Sequence, residues 1–181
     1  MAISTPEREN DGSPLLMWRL IDEAVESFGR ESTVDTDAMR LAFTLRGASG
    51  ALASDLQRRL RHADASPPRT LNALLLMHVR GEIEQGDLVR HGGFSKAAAS
   101  TLVETLVADG LVLRRGSNRD RRIVLLSLTD AGHEVFLHDL EVANRGEAAW
   151  SSGLTPAERA MLVQLLVKLV DQGSDGGTDL G

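Results

Sequence analysis

The chain has 181 residues, of which 42% are hydrophobic, and it carries a formal net charge of −6. This length predicts one or two modest domains with a well-formed core, and the charge argues mildly against a nucleic-acid partner unless basic residues are concentrated on one face. The absence of cysteine excludes disulfides, cysteine-based metal sites and thiol redox sensing, and it favours a cytoplasmic protein.

The start of the chain is not expected to be a signal peptide. Residues 1–13 are polar and are predicted to form a flexible N-terminal tail, and they lack the basic start and apolar core of a signal peptide. No apolar run in the chain approaches the length of about 18 residues that a membrane span needs. We therefore expect no membrane contact.

A first helix is predicted from Pro14 to about residue 30, because its apolar residues recur at helical spacing. Trp18 lies within this helix. It is either a packing anchor or one wall of a ligand pocket, and the sequence leaves both interpretations open.

A second helix is predicted over residues 37–62, capped by Thr36 or Asp37. Its leucines step by threes and fours, which predicts a narrow seam for another helix. Small residues between positions 47 and 53 interrupt this seam. They are compatible with close approach of another helix, with a pocket wall or with a kink.

Two further helices are predicted on either side of a turn. The longer one covers residues 69–80, and the shorter one, residues 86–91, is the first of a helix-turn-helix pair. Residues 81–85 between them are predicted to be a turn. The residues of the longer helix that we expect to face the core are Leu71, Leu74, Leu75 and Val79.

The second helix of the pair has clear start and stop signals. The Ser95 hydroxyl can accept a hydrogen bond from the backbone N–H of Ala97 or Ala98, and Gly110 can close the helix in the left-handed conformation. Its apolar face is formed by Leu102, Val103, Leu106 and Val107. Residues 111–115 and 122–128 then alternate as strands do, with turn residues at 116–118 between them.

The tip of this hairpin is strongly basic. Residues 114–122 contain five arginines and one acid, a local charge of +4 (five minus one) in an acidic chain. These residues are Arg114, Arg115, Arg119, Asp120, Arg121 and Arg122. A solvated hairpin would also carry arginines, but their combination with a capped helix favours DNA binding. The helix can enter the major groove, about 12 Å wide, and the tip can reach phosphates or the minor groove.

The C-terminal part is predicted to be helical and to pack in part against a second chain. One helix runs from Thr129 to about residue 151, and a capping box at Thr155 and Glu158 starts the last helix, residues 156–171. This last helix carries leucines on one side and valines on another, which is too much apolar surface for one partner helix. We therefore expect burial against a second chain.

No pattern of catalytic or metal-binding residues is present. None of the histidines has metal-ligand spacing to a second ligand, and no phosphate-binding loop, Ser–His–Asp set or glycosidase-like carboxylate pair occurs. The histidines are His62, His78, His91, His133 and His138. We predict no metal, no cofactor and no enzymatic activity. The alternatives are a helical interaction module that does not bind DNA and a small enzyme, and a gel-shift assay separates both from a DNA-binding protein.

Residues 70–132 resemble the DNA-binding core of the MarR family of bacterial transcription regulators. The family pattern is a recognition helix with Gly-Leu-Val near its end, an arginine soon after, Asp-x-Arg in the wing, and Leu-Thr-x-x-Gly. The chain matches it at Gly110-Leu111-Val112, Arg114, Asp120-Arg121-Arg122 and Leu128-Thr129-Asp130-Ala131-Gly132. It departs at Gly92-Gly93, where the family usually has one large apolar residue.

The resemblance implies a mostly α fold with a small β-hairpin wing, that is, a winged helix-turn-helix plus a helical dimerisation region. The DNA-binding lobe would be residues 69–132. The dimerisation region would be residues 14–62 and 133–171, followed by a flexible tail at 172–181. The DNA-binding residues would be Ser95, Lys96, Ala97, Ala98, Ser100, Thr101, Arg114, Arg115, Arg119, Asp120, Arg121 and Arg122.

Family members usually act as homodimeric repressors of palindromic DNA operators and often release DNA when a small, commonly aromatic and anionic effector binds. The urate-responsive subgroup has an N-terminal helix with a tryptophan, as at Trp18, and it uses an aspartate and an arginine where this chain has Asn72 and Thr101. The ligand-binding residues implied for this chain are Trp18, Asn72 and Arg114.

Overall fold

The computed structural model describes residues 15–28, 33–116 and 123–175. Their elements, in chain order, are α1 (Leu15–Phe28), α2 (Thr36–His62), α3 (Pro68–Arg80), β1 (Glu82–Glu84), α4 (Gln85–Arg90), α5 (Lys96–Ala108), β2 (Val112–Gly116), β3 (Val124–Leu128), α6 (Asp130–Trp150) and α7 (Pro156–Asp175). The fold is mostly helical with one small sheet, as the sequence predicted. Within the described ranges, no helix has the length and apolar character required to span a membrane.

The chain forms two compact units, residues 1–55 and 56–181. In the first unit, Asp22 of α1 and Arg40 of α2 form an ion pair between the two helices. The helix α2 is capped by Asp35, whose Oδ1 accepts the N–H groups of Asp37 and Ala38 at 3.1 and 2.9 Å. The prediction of Thr36 or Asp37 as the cap was therefore wrong, because the carboxylate that reaches the first free N–H groups belongs to the preceding residue.

The second unit contains a three-stranded antiparallel sheet in the order β1-β3-β2. The strand β1 was predicted to be a turn, and that prediction was wrong. Its three residues are too few to show an alternating pattern, and only Ile83 is buried. The strand forms because Ile83 pairs with Leu126 of β3, a partner that lies more than forty residues further along the chain.

The core of the second unit surrounds α3. Leu71 and Leu74 are buried, as predicted, but Leu75 and Val79 are 41% and 69% exposed. Leu74 and Val79 lie about 140° apart around the helix, since each residue turns it by about 100°. The remaining inward positions are instead filled by Ala73 and Met77, which are fully buried members of this core.

A junction joins the end of α5, the start of β2 and the start of α6. Gly110 ends α5 with a φ of 73°. The Thr129 hydroxyl accepts the N–H of Gly132 at 2.9 Å and donates to the Gly110 carbonyl at 2.8 Å. A Cβ on Gly132 would lie 2.0 Å from the carbonyl oxygen of Leu111, so only glycine allows this approach. The Leu-Thr-x-x-Gly motif thus has a structural role.

The last two helices match their predicted starts. Thr129 caps α6. At α7, the Thr155 N–H donates to Glu158 Oε2 at 2.8 Å, while the Glu158 N–H donates to the Thr155 hydroxyl at 3.3 Å, which confirms the capping box. Most apolar side chains of α7 are exposed in the single chain. They include Met161, Leu162, Val163, Leu165, Val167 and Leu169.

Candidate nucleic-acid interface

The helix α5 presents a polar face beside a capped N-terminus. The Ser95 hydroxyl accepts the N–H of Ala98 at 3.2 Å, so the predicted cap is confirmed. The side of α5 opposite this polar face packs on the core through Ala99, Val103 and Leu106. Of the predicted contact residues on or next to this helix, Ser95, Lys96, Ala97 and Thr101 are exposed, whereas Ala98 and Ser100 are half-buried.

One acid shares this face and was not singled out from the sequence. Glu104 is exposed, and its Oε1 accepts a long hydrogen bond of 3.4 Å from the Ser100 hydroxyl. The two residues are four apart on the helix, so the contact follows from helical spacing. The exposed face of α5 therefore carries one cation, Lys96, and one anion, and it is not strongly basic.

A network of charged side chains holds the start of α4, the helix that packs against α5. Arg90 donates to Asp87 at 2.8 Å and to Glu84 at 3.2 Å, and the Glu84 N–H donates to Asp87 at 2.9 Å. Burial by itself raises the pKa of the Asp87 carboxyl, but these hydrogen bonds and the charge of Arg90 lower that pKa below its ordinary value. The carboxyl group is therefore ionised and holds α4 against β1.

The described part of the wing carries two of the predicted arginines. Arg114 and Arg115 are both exposed on β2. The Arg115 Nε donates to Glu82 of β1 at 2.7 Å, across the intervening strand β3. Sequence reasoning missed Glu82 because it lies in the segment that was predicted to be a turn. Three residues are too few for an alternating pattern, so the sequence carried no signal for this strand.

The tip of the wing falls outside the described residues. Arg119, Asp120, Arg121 and Arg122 all lie within the segment 117–122, which separates the described ranges. The role of Asp120 in holding an arginine, and the role of Arg122 as the main DNA contact, stay predictions.

A shallow cavity of about 350 Å³ lies where α4, α5 and the root of the wing meet. Lys96 and Ala99 line it from α5, and Ile123 and Val124 line it from the wing, while Glu84 to Gly86 and Val89 complete the wall. The N-terminus of α5 and the wing are thus adjacent parts of one surface.

The predicted ligand-binding residues belong to different units of the chain. Trp18 belongs to the first unit, and its side chain is outside the described part of the structure. Asn72 and Arg114 are exposed residues of the second unit, and neither lines the cavity beside α5. Within the described ranges, no three histidine, aspartate or glutamate side chains converge as metal ligands.

Part of the chain matches a known protein family. Residues 67–123 match the model of the MarR family. An uncharacterized HTH-type transcriptional regulator of Bacillus subtilis, YwaE, is 31% identical over 93 residues, which are 51% of this chain and 54% of the relative. The chain therefore aligns with about half the length of that relative.

Two solved structures share the fold. BpsR of Bordetella bronchiseptica, whose DNA binding is regulated by 6-hydroxynicotinic acid, has a TM-score of 0.64 and 24% identity over 72% of this chain and 98% of its own. A MarR variant from E. coli complexed with operator DNA has a TM-score of 0.65 and 21% identity over 76% and 99%. Residues 67–123 of this chain are therefore similar to the MarR family, and the described residues share the fold of these solved structures.

Proposed function

We propose that this protein is a DNA-binding transcription regulator that recognises a palindromic operator as a homodimer and represses transcription. The observation that carries the proposal is the exposed, Ser95-capped face of α5, which lies beside a wing strand bearing Arg114 and Arg115. The similar E. coli protein, which was solved with operator DNA, supports this use of the fold.

The chemistry of α5 suits base reading by small side chains. A helix N-terminus attracts phosphate because its first N–H groups and its dipole favour negative charge, and Lys96 adds one cation there. Thr101 offers a hydroxyl and a methyl group, and the methyl group can contact the methyl group of thymine. The wing arginines supply most of the positive charge, so they are expected to supply most of the salt-dependent affinity.

The homodimer is proposed from the exposed apolar surface of α7. A helix whose leucines and valines lie outside the core needs a partner, and a second copy provides the same apolar surface in two-fold symmetry. We propose residues 14–62 and 133–171 as the dimerisation region and residues 69–132 as the DNA-binding lobe. Two-fold symmetry then places the recognition helices about 34 Å apart, one turn of DNA.

We further propose that a small aromatic anion releases the operator. The support is the family resemblance and the similarity in fold to BpsR, a protein whose DNA binding is regulated by an aromatic acid. Such a ligand needs only to bind one arrangement of the dimer better than another, because differential affinity alone shifts the population. The residues that the family resemblance implies for the effector are Trp18, Asn72 and Arg114, and their role stays a prediction.

Fluorescence anisotropy with an operator selected from a random duplex library tests the DNA-binding proposal. Arg122→Ala should weaken operator binding by about 1–3 kcal/mol and reduce the salt dependence by about one phosphate contact. Asp120→Ala should weaken binding less, since it removes only preorganisation of the wing. Arg8→Ala, which removes a cation from the predicted N-terminal tail and lies outside both proposed regions, is the matched control and should leave binding unchanged.

Two results would contradict the proposal. If no duplex is enriched in the selection, the chain is better described as an interaction module. If Arg122→Ala binds as tightly as the parent protein at every salt concentration, the wing does not contact DNA as proposed.

A further inference from the structure

Two histidines that are far apart in sequence meet on the surface of the second unit. His78 lies in the last turn of α3, and His133 lies in the first turn of α6. Their Nδ1 atoms are 3.2 Å apart. The fold therefore places two imidazole nitrogens side by side, although no histidine has a second ligand at metal-ligand spacing along the chain.

The ring of His78 is held from two sides. It meets the ring of His133 edge-on, with centroids 5.3 Å apart and an angle of 72° between the planes. It also packs on Phe136, one turn further along α6, at a centroid distance of 4.5 Å. Because Phe136 is only 1% exposed, it gives the pair a rigid base. Little side-chain ordering is then needed when a ligand binds.

The pair also remains accessible. His78 is exposed and His133 is half-buried, so the pair lies at the surface of the unit. In the absence of an ion, one Nδ1 donates its hydrogen to the other, since two bare lone pairs would repel. Both rings can instead carry the hydrogen on Nε2, which frees both Nδ1 lone pairs without changing the charge of the pair.

We propose that His78 and His133 form a chelating site for a divalent transition metal of the nickel, copper or zinc group. Nitrogens bound at about 2.0–2.1 Å to a tetrahedral zinc ion are about 3.3 Å apart, close to the observed separation. Imidazole ligands favour these metals over magnesium and calcium, which prefer oxygen. Because no third histidine or carboxylate converges within the described ranges, water completes the coordination.

Binding at this site would join the end of α3 to the start of α6. The first helix precedes β1 and α4, and the second begins at the junction that also holds α5 and β2. A metal ion would therefore stabilise the second unit through a link between residues 55 apart in sequence. This consequence does not depend on whether the protein binds DNA.

The test uses the full chain after removal of metal by a chelator. Isothermal titration with Ni²⁺, Cu²⁺ and Zn²⁺ should show one ion bound per chain. Thermal unfolding with the ion present should show a higher melting temperature. Both effects should be lost in His78→Phe and in His133→Gln. The phenylalanine keeps an aromatic ring on Phe136 and removes only the nitrogen ligands. His62→Gln, on α2, is the matched control and should bind as the parent protein does.

Imidazole nitrogen NMR of the parent protein provides a measurement that does not depend on the variants. Addition of Zn²⁺ should shift the Nδ1 resonances of His78 and His133 and leave those of the other histidines in place. If all four proteins bind the ions equally, or if Zn²⁺ leaves both Nδ1 resonances unchanged, the proposal is overturned and the pair is only a hydrogen bond between two rings.

Discussion

At the scale of single residues, ion pairing decides how much of the wing's positive charge is available to attract DNA phosphates. Arg114 and Arg115 are neighbours on β2, but Arg115 donates to the Glu82 carboxylate at 2.7 Å. A phosphate that approaches this part of the wing therefore meets a balanced pair at Arg115. Counting charges along residues 114–122 overestimates the attraction, since Glu82 lies outside that segment in sequence and beside it in space.

Replacing Glu82 with glutamine should therefore tighten binding to DNA of any sequence. The change removes one negative charge beside Arg115, and it should favour binding by about 0.2–1 kcal/mol, as is usual for an exposed pair. The gain should decline as salt is raised, because salt screens exposed charges. Anisotropy with specific and random duplexes at several salt concentrations measures both effects.

The matched control for this prediction is Glu141→Gln on α6. The Glu141 carboxylate accepts a hydrogen bond from Arg145 at 2.6 Å in another exposed ion pair. Its replacement with glutamine removes the same single negative charge, but on a helix that does not carry Arg115. Equal gains in DNA affinity for Glu82→Gln and Glu141→Gln would show that only net charge matters, and that the pairing of Arg115 does not.

The carboxyl group of Asp87 should make stability depend on pH. Because its pKa is lower in the folded chain than the ordinary value of 3.8, its network stabilises the fold above that pH. The contribution is lost as the pH falls through the lowered pKa. Asp87→Asn should lower the free energy of unfolding near neutral pH by about 0.2–1 kcal/mol, and the difference from the parent should shrink below pH 3.8.

Urea unfolding at neutral pH and at a pH below 3.8 provides the measurement. Arg90→Gln removes the side-chain partner of Asp87 and should show the same trend. A difference between Asp87→Asn and the parent that stays constant across this pH range would mean that the charge of Asp87 contributes nothing to folding.

At the scale of elements, short capping motifs define where helices begin. Ser95, Thr129 and Thr155 each accept an N–H from three residues further on, which satisfies one of the free donors of the first turn. Thr129 has a second role, since its hydroxyl also donates to the end of α5. One residue therefore sets the start of α6 and its position relative to the candidate recognition helix.

Gly132→Ala should disturb this junction. The new Cβ would lie 2.0 Å from the Leu111 carbonyl oxygen, so the start of α6 and the start of the wing must move apart. We expect a loss of about 1–3 kcal/mol in the free energy of unfolding, as for other overpacked sites. Gly153→Ala is the matched control, because a Cβ there meets no atom within 4 Å. Chemical denaturation of both variants decides the matter, and equal stability would show that the close approach is easily relieved.

At the scale of the whole molecule, the apolar surface of α7 is not part of the described hydrophobic core. The buried cluster draws on α2 to α6 and the sheet, whereas α7 contributes no residue to it. Burial of a Leu or Val side chain is worth about 1.5–3 kcal/mol, so several such side chains on one helix strongly favour a partner. This is the physical basis of the proposed homodimer.

We predict that the protein sediments as a dimer at micromolar concentration and that Leu165→Glu weakens the dimer. A charge placed at this apolar position would have to be desolvated in the interface. Gln164→Glu adds the same charge at the neighbouring exposed position and is the matched control. Sedimentation equilibrium of the three proteins is the measurement. A stable folded monomer of the parent at this concentration would rule out an obligate dimer.

Much of the fold could be predicted from the sequence, because many of its signals act within a few residues. Helix periodicity and the caps at Ser95 and Thr155 predicted most helix bounds to within one or two residues, and Gly110 closed α5 as expected. The pairing of β2 with β3 was predicted for the same reason, since a hairpin joins strands that are close in sequence. On the predicted apolar face of α5, Val103 and Leu106 are buried but Val107 is exposed.

Only the tertiary structure decided the contacts between distant segments. The strand β1 exists because β3 lies beside it, and the partner of Arg115 is Glu82 because the sheet places them on either side of that strand. The packing of α3 on α6 brings His78 to His133. Such contacts depend on the register of packed elements, and local sequence patterns do not encode that register.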